Sequence, residues 1–284
     1  MLLNKAFIIP KEGSDTEDCQ DAISISKNTL RFAIADGATR EFFSGIFAKK
    51  LVNFFCNNET SLNKNIFETK NFKDWLKPIQ EEWLSEIETI IGKDNINLTV
   101  KNGYNTKRSA ASTFIGLEID KQNSQFKIMI IGDSCLFHIR GNHVLKSYLI
   151  DNASLFDNSP EFFFSRNEIL TEDGFVDRDF IEPKVISDNC EDGDYFLLAT
   201  DAISKWLLKQ KELGNWEEIW NNLKHQDEEW YGKFIQDIRK NIDNKLEDDD
   251  VSLLIIQFNS LNLFEKNIYY HKNKKTSSCN DKDN

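Results

Sequence analysis

The chain is short of bases, of clustered cysteines and of long apolar runs, and each shortage removes a class of function. Lys and Arg number 35 against 47 Asp and Glu, a net charge of -12, which argues against a non-specific nucleic-acid binder. It leaves room for an anionic substrate, because a bound metal ion can invert the field of a site. The five cysteines, Cys19, Cys56, Cys135, Cys190 and Cys279, are odd in number, scattered and never spaced Cys-x-x-Cys. They read as reduced thiols of a cytoplasmic protein, not as a disulfide framework. The opening apolar run is too short for a signal peptide and no stretch is long enough to cross a bilayer. Neither a membrane nor a nucleic acid is therefore expected as a partner. The histidines, His138, His143, His225 and His271, have no zinc-like spacing. A Gly-x4-Gly-Lys-Ser/Thr loop is missing, which removes a P-loop NTPase. Arg140 follows Cys135 one residue too early for the Cys-x5-Arg of a cysteine phosphatase, so Cys135 reads as strand packing. Ser134 has no histidine partner for a serine hydrolase.

What is present suffices for a sizeable core. Hydrophobic residues make up 40% and aromatics 12% of 284 residues, enough for one large domain or two small ones. Residues 30–35 read as a buried strand and Asp36-Gly37 as a sharp turn. Phe43, Ile46, Phe47, Leu51, Phe54 and Phe55 then fall on one helix face. A carboxylate at a strand end is held rigidly at the rim of a core. The glycine after it lets backbone approach a ligand, and the helix start offers unpaired N–H groups. Such a corner suits a metal ion and a phosphate, although Asp-Gly alone is a common turn signal. Upstream, Ala22–Ser26 alternates apolar and polar. Pairing residue 27 with residue 30 across the turn sets Asp21 opposite Asp36, since both pairs sum to 57. Opposed Cβ atoms lie roughly 4.5–5.5 Å apart, and two carboxylates that close repel unless a cation sits between them.

Along the remaining chain, 6–9 reads as an edge strand ended by Pro10 and 57–71 as a polar connection. Phe72, Trp75, Leu76, Ile79, Trp83 and Ile87 form a second helical stripe, with a kink or break expected at Pro78. Residues 94–108 read as a polar loop, and 112–119, 126–131 and 135–140 as strands. Residues 151–187 show no period and read as a flap over the site. A buried strand, 195–199, ends in Thr200-Asp201 before a helix; further helices follow at 216–223 and 230–242, and the last strand is 251–258. One domain, 1–259, is expected, with 260–284 a polar, disordered tail.

Asp21, Asp36, Asp133, Asp201 and Asp249 all stand at ends of these strands, each beside a turn. Oxygen-only ligands suit hard cations such as Mg²⁺ or Mn²⁺. The ordered segments Cys19-Gln-Asp21-Ala, Ala35-Asp36-Gly37-Ala-Thr39, Ser109-Ala-Ala-Ser-Thr113-Phe, Ile131-Gly-Asp133-Ser, Leu198-Ala-Thr-Asp201-Ala and Asp249-Asp-Val-Ser252 resemble the type-2C, metal-dependent serine/threonine protein phosphatases of bacterial type. The resemblance covers about residues 6–258; each segment alone is weak, and the ordered set is specific.

The resemblance implies an α+β fold, a four-layer αββα sandwich of two antiparallel β-sheets flanked by helices. Asp36 would bridge two metal ions, Mn²⁺ or Mg²⁺, with the Gly37 carbonyl completing one shell. Asp21, Asp201 and Asp249 would supply the other carboxylates, and Asp133 would share a weaker third ion with Asp201. A water between the first two ions would attack phosphorus in line, without a covalent enzyme intermediate. The substrate would be phosphoserine or phosphothreonine in a protein, such as the target of a cognate Ser/Thr kinase, and the enzyme a monomer. Better-known members carry an arginine shortly before the position of Asp21, whereas Gly13 to Gln20 contains no base. Arg40 is the substitute of choice for gripping phosphate, ahead of Lys107 and Arg108. Ala202 and Cys135 also depart from the common glycine and arginine. An alternative reading keeps the metals in a binding or sensing module with little turnover.

Overall fold

Strands buried on both faces set the architecture. The computed structural model describes residues 3–26, 28–57, 66–68, 72–156, 160–225, 227–259 and 265–270. One sheet has six strands in the order β15 (Glu265–Tyr270), β1 (Leu3–Ile9), β14 (Val251–Gln257), β13 (Tyr195–Ala199), β7 (Cys135–Arg140) and β8 (His143–Tyr148). The other has five: β12 (Lys184–Asn189), β6 (Gln125–Ile131), β5 (Phe114–Asp120), β3 (Arg31–Ala35) and β2 (Ala22–Ser26). Two short pairs stand apart, β4 (Ala111–Ser112) with β9 (Phe163–Phe164), and β10 (Glu168–Thr171) with β11 (Gly174–Asp177).

Side-chain alternation then stacks the layers. Along β14, Val251, Leu253 and Ile255 face α4 (Asp201–Glu212), α5 (Trp216–His225) and α6 (Glu228–Lys240), whose Trp206, Trp220 and Ile235 share their cluster. Leu254 and Ile256 of the same strand meet Phe32, Ile34 and Leu117 of the second sheet. Ala33 and Ala35 face outward again, against Phe47, Leu51 and Phe55 of α1 (Ser44–Asn57) and Trp75, Ile79 and Trp83 of α2 (Phe72–Ile91). The result is helix, sheet, sheet, helix, as expected. Each fully buried large aliphatic or aromatic side chain contributes about 1.5–3 kcal/mol.

Several local expectations need correction. Residues 265–270, expected in a disordered tail, run as β15 parallel to β1, with Leu3 opposite Glu265 and Ile8 opposite Tyr270. That makes β1 an inner strand, not an edge. The segment Ile268-Tyr-Tyr270 is rich in strand-favouring types, and the open side of β1 offers unpaired backbone groups. Helix α2 runs unbroken through Pro78. Proline removes one N–H, while buried Trp75, Leu76, Ile79, Trp83 and Ile87 anchor the helix on both sides. The loop expected at 94–108 contains α3 (Leu98–Asn105), capped by Asn97, whose side chain accepts from the Thr99 N–H at 2.8 Å. Its one buried residue is Gly103, so no apolar stripe announced it. Residues 184–189, assigned to the flap, pair with β6 as an ordinary edge strand. Most of the 57–71 connection, the 271–284 segment and Cys279 lie outside the described residues.

Candidate active site

The hairpin register brings the first two carboxylates together. Ala22 pairs with Ala35 and Ser26 with Arg31, so Asp21 and Asp36 extend the ladder as opposite neighbours. Asp36 is fixed through its backbone: its carbonyl accepts from the Ser112 hydroxyl at 2.8 Å and the Thr113 N–H at 2.9 Å. Gly37 is required next to it. A Cβ there would stand 2.7 Å from the Ser44 carbonyl carbon and 2.9 Å from the Gln20 oxygen.

The other carboxylates arrive from the six-stranded sheet and from the crossing between sheets. Asp201 opens α4 directly after β13, and its carboxylate accepts from the Ala202 N–H. Asp249 precedes β14, which pairs with β13, and its Oδ1 accepts from the Asp250 N–H at 2.8 Å. Asp133 lies in the turn joining β6 to β7. The preceding Gly132 has φ +97°, and a Cβ there would lie 2.4 Å from the Thr113 methyl carbon. Asp36, Asp133, Asp201 and Asp249 line one cleft of about 270 Å³, together with Phe156, Pro160 and Phe162 of the 151–187 excursion. Asp21 lies beside it, 2% exposed. Its Oδ2 accepts from the Thr200 hydroxyl at 3.1 Å, and its Oδ1 has no hydrogen-bond partner among the described residues. Larger hollows, about 550 Å³ between α1 and α2 and about 630 Å³ between α2 and the β10–β11 hairpin, hold no carboxylate from the strand ends of the two main sheets; Asp177 of the hairpin lines the second.

The electrostatics are those of uncompensated acids. Loss of solvent, followed by the charges of Asp21, Asp201, Asp249 and Asp133, raises the Asp36 carboxyl well above its ordinary value. Burial and then Asp250 raise Asp21 in the same way. Asp201 is pushed up to about 7 by burial and by Asp133, and Asp249 is raised chiefly by burial. Among the described residues, no three His, Cys, Asp or Glu side chains form a ready-made cage for one ion. The donors themselves, all oxygen, desolvated and crowded, with Asp21 Oδ1 buried and unbonded, fit a hard divalent cation.

The three neighbours before β14 divide their work. Asp250 is 4% exposed and accepts from the Lys11 N–H at 2.9 Å and the Gln20 N–H at 2.7 Å. Asp248 is exposed but accepts from the Glu12 N–H at 2.9 Å. Only Asp249 lines the cleft. Buried Arg239 holds the carbonyls of Pro10 and Asp249 together.

The bases expected near phosphate lie elsewhere. Arg40 is exposed and does not line the cleft. Lys107 pairs with Glu168, and Arg108 stacks on Phe42 while donating to the Arg40 carbonyl. Lys205, absent from the expected set, does line the cleft. It stands four residues after Asp201 on α4, a spacing that places the two on one helix face. Thr200, which ties Asp21 to the Ser252 N–H, was also missed, although it directly precedes Asp201. Cys135 is fully buried, and burial raises its thiol, the opposite of what a nucleophile needs.

A profile of the family described as protein phosphatase 2C matches residues 12–242. The chain belongs to the protein phosphatase 2C family. It is accordingly a protein serine/threonine phosphatase, a phosphoric monoester hydrolase. Solved structures share its fold. The catalytic domain of serine threonine protein phosphatase PstP in complex with two manganese ions is similar at 10% identity and TM-score 0.55, covering 90% of this chain and 97% of that one. A bacterial serine phosphatase is similar at 14% identity and TM-score 0.54, covering 90% and 98%. PstP/Ppp of Mycobacterium tuberculosis is similar at 12% identity and TM-score 0.53, covering 91% and 99%. No curated protein matches the chain. The profile stops short of Asp249, whose place follows from the pairing of β14 with β13, Leu253 opposite Ala199. Among the described residues, no helix is long and apolar enough to cross a membrane.

Proposed function

We propose that this phosphatase hydrolyses phosphoserine and phosphothreonine in proteins with two divalent cations, Mn²⁺ or Mg²⁺, held by the cleft carboxylates. One observation carries the reading: Asp36, Asp133, Asp201 and Asp249 line one cleft with Asp21 buried beside it, and Asp36 feels the charge of the other four. Asp36 would contact both ions, with Asp21, Asp201, Asp249 and the Gly37 carbonyl completing the ligand set, and Asp133 with Asp201 would hold a weaker third. Bound divalent ions lower the pKa of water and neutralise phosphoryl charge.

The chain's own contribution is placement. The Ser112 and Thr113 bonds fix Asp36, and Thr200 orients Asp21. Arg239 and Asp250 fasten the loop that carries Asp249. Phe156, Pro160 and Phe162 narrow the cleft and limit water around the reacting group. Cytoplasmic location and action on the targets of a Ser/Thr kinase belong to the same proposal, the first supported by the free cysteines Cys19, Cys56, Cys135 and Cys190.

Hydrolysis of a phosphothreonine peptide should require Mn²⁺ or Mg²⁺ and stop in excess EDTA; undiminished hydrolysis in EDTA overturns the mechanism. The binding-module alternative draws on the base-free stretch from Gly13 to Gln20 and on the outward place of Arg40. It predicts tight Mn²⁺ binding with no more peptide turnover than Mn²⁺ alone supports.

A further inference from the structure

The charged residues that line the cleft are five acids and one base. Among the described residues that line it, Asp36, Asp133, Asp201, Glu247 and Asp249 are the acids and Lys205 is the single cation. Its Nζ lies 2.6 Å from Glu247 Oε1, with side chains 40% and 62% exposed. Glu247 sits two residues before Asp249, at the same rim. An ion pair this open to solvent is weak and exchanges readily. A phosphoryl group offers several anionic oxygens to an ammonium that carries three donors. Other bases do not line the cleft: Lys107 pairs with Glu168, Arg108 stacks on Phe42, Arg40 is exposed outside it, and Lys11, whose charge reaches Asp249, also stands outside the lining.

We propose that Lys205 is the cleft's phosphate-contacting base and that Glu247 holds it aside until an anion displaces the carboxylate. The proposal rests on the phosphatase reading of the cleft. It makes Lys205 a substrate contact and Glu247 a competitor for it, so the two halves of one ion pair act on phosphate affinity in opposite directions. A pair that merely tethers α4 to the loop before β14 has no such asymmetry. Removing either half would then cost a little stability and leave phosphate affinity alone.

The test is calorimetric titration of inorganic phosphate into the full Mn²⁺-loaded chain, wild type and three variants, with peptide turnover measured in parallel. Both side chains are partly exposed, so the variants should melt close to wild type. Lys205→Ala should weaken phosphate by about tenfold or more, the loss of one charge-assisted hydrogen bond. Lys205→Arg should restore most of that affinity. Glu247→Gln should tighten phosphate and lower its inhibition constant. Equal affinity in Lys205→Ala and wild type overturns the proposal, as do shifts of the same sign in Lys205→Ala and Glu247→Gln, or no phosphate binding by wild type. Lys205-dependent phosphate binding without peptide turnover supports the contact and sinks the catalytic reading. Turnover with Lys205-independent phosphate affinity does the reverse.

Discussion

Asp36 is the residue at which the site's cost is concentrated. Solvent loss and four neighbouring carboxylates raise its pKa well above the ordinary 3.8. A group whose folded pKa is raised contributes stability below its unfolded pKa and loses it as pH rises through the folded value. In metal-free protein, Asp36 therefore weighs against the fold at neutral and alkaline pH. Asp36→Asn should melt above wild type in EDTA at pH 8, with the difference shrinking toward pH 4, while Mn²⁺ binding and turnover are nearly lost. A metal-free variant melting below wild type at pH 8 contradicts this account. The strand-end placement of the five aspartates was legible because each borders an apolar run beside a turn. Lys205, Thr200 and Arg239 were not, because each reaches its partner from a helix or a strand end remote in sequence from that partner. Arg40 misled because nearness to Asp36 along the chain does not place a side chain in the cleft.

At the scale of elements, hairpin arithmetic proved sound: Ala22 opposite Ala35 is the pairing that the sum rule required. The αββα layering was expected from the family resemblance, and the two buried faces of 251–257 agree with it. Pro78 did not end α2 because buried aromatics on both sides outweigh one lost N–H. Helix α3 was invisible because it buries almost nothing. The corner before β14 carries a prediction of its own. Asp250 joins that corner to the loop after β1 through the Lys11 and Gln20 N–H groups, whereas the Asp249 carboxylate, among the described residues, accepts only from the next residue's N–H. Hydrogen bonds to a charged group contribute about 1.5–3 kcal/mol each. Asp250→Ala should thus lower metal-free stability by roughly 3 kcal/mol or more in urea unfolding. Asp249→Ala should cost far less stability and instead remove most of the Mn²⁺ affinity. The reverse order would mean that the corner is built the other way round, with Asp250 as the ligand.

Across the whole molecule, the carboxylates belong to two sheets. Asp21 and Asp36 end strands of the five-stranded sheet, Asp201 and Asp249 flank strands of the six-stranded one, and Asp133 lies where the chain passes between them. Without cations, like charges press the sheets apart at one end of an otherwise apolar interface. A cation held by both sets turns that end from a weakness into a tie. It binds the folded state alone, because no unfolded chain gathers ligands spread from residue 21 to residue 249. Stability should then rise with Mn²⁺ as RT ln(1 + [Mn²⁺]/Kd), about 2.7 kcal/mol at one hundred times Kd. For a domain of this size that is a rise in Tm of roughly 5–10 °C. The rise should follow the logarithm of Mn²⁺ concentration and be largely absent in Asp36→Asn, whose metal-free Tm starts higher. A flat Tm at Mn²⁺ concentrations that saturate turnover would show that the ions do not bridge the two sheets, and the shared role given to Asp36 would fall with it.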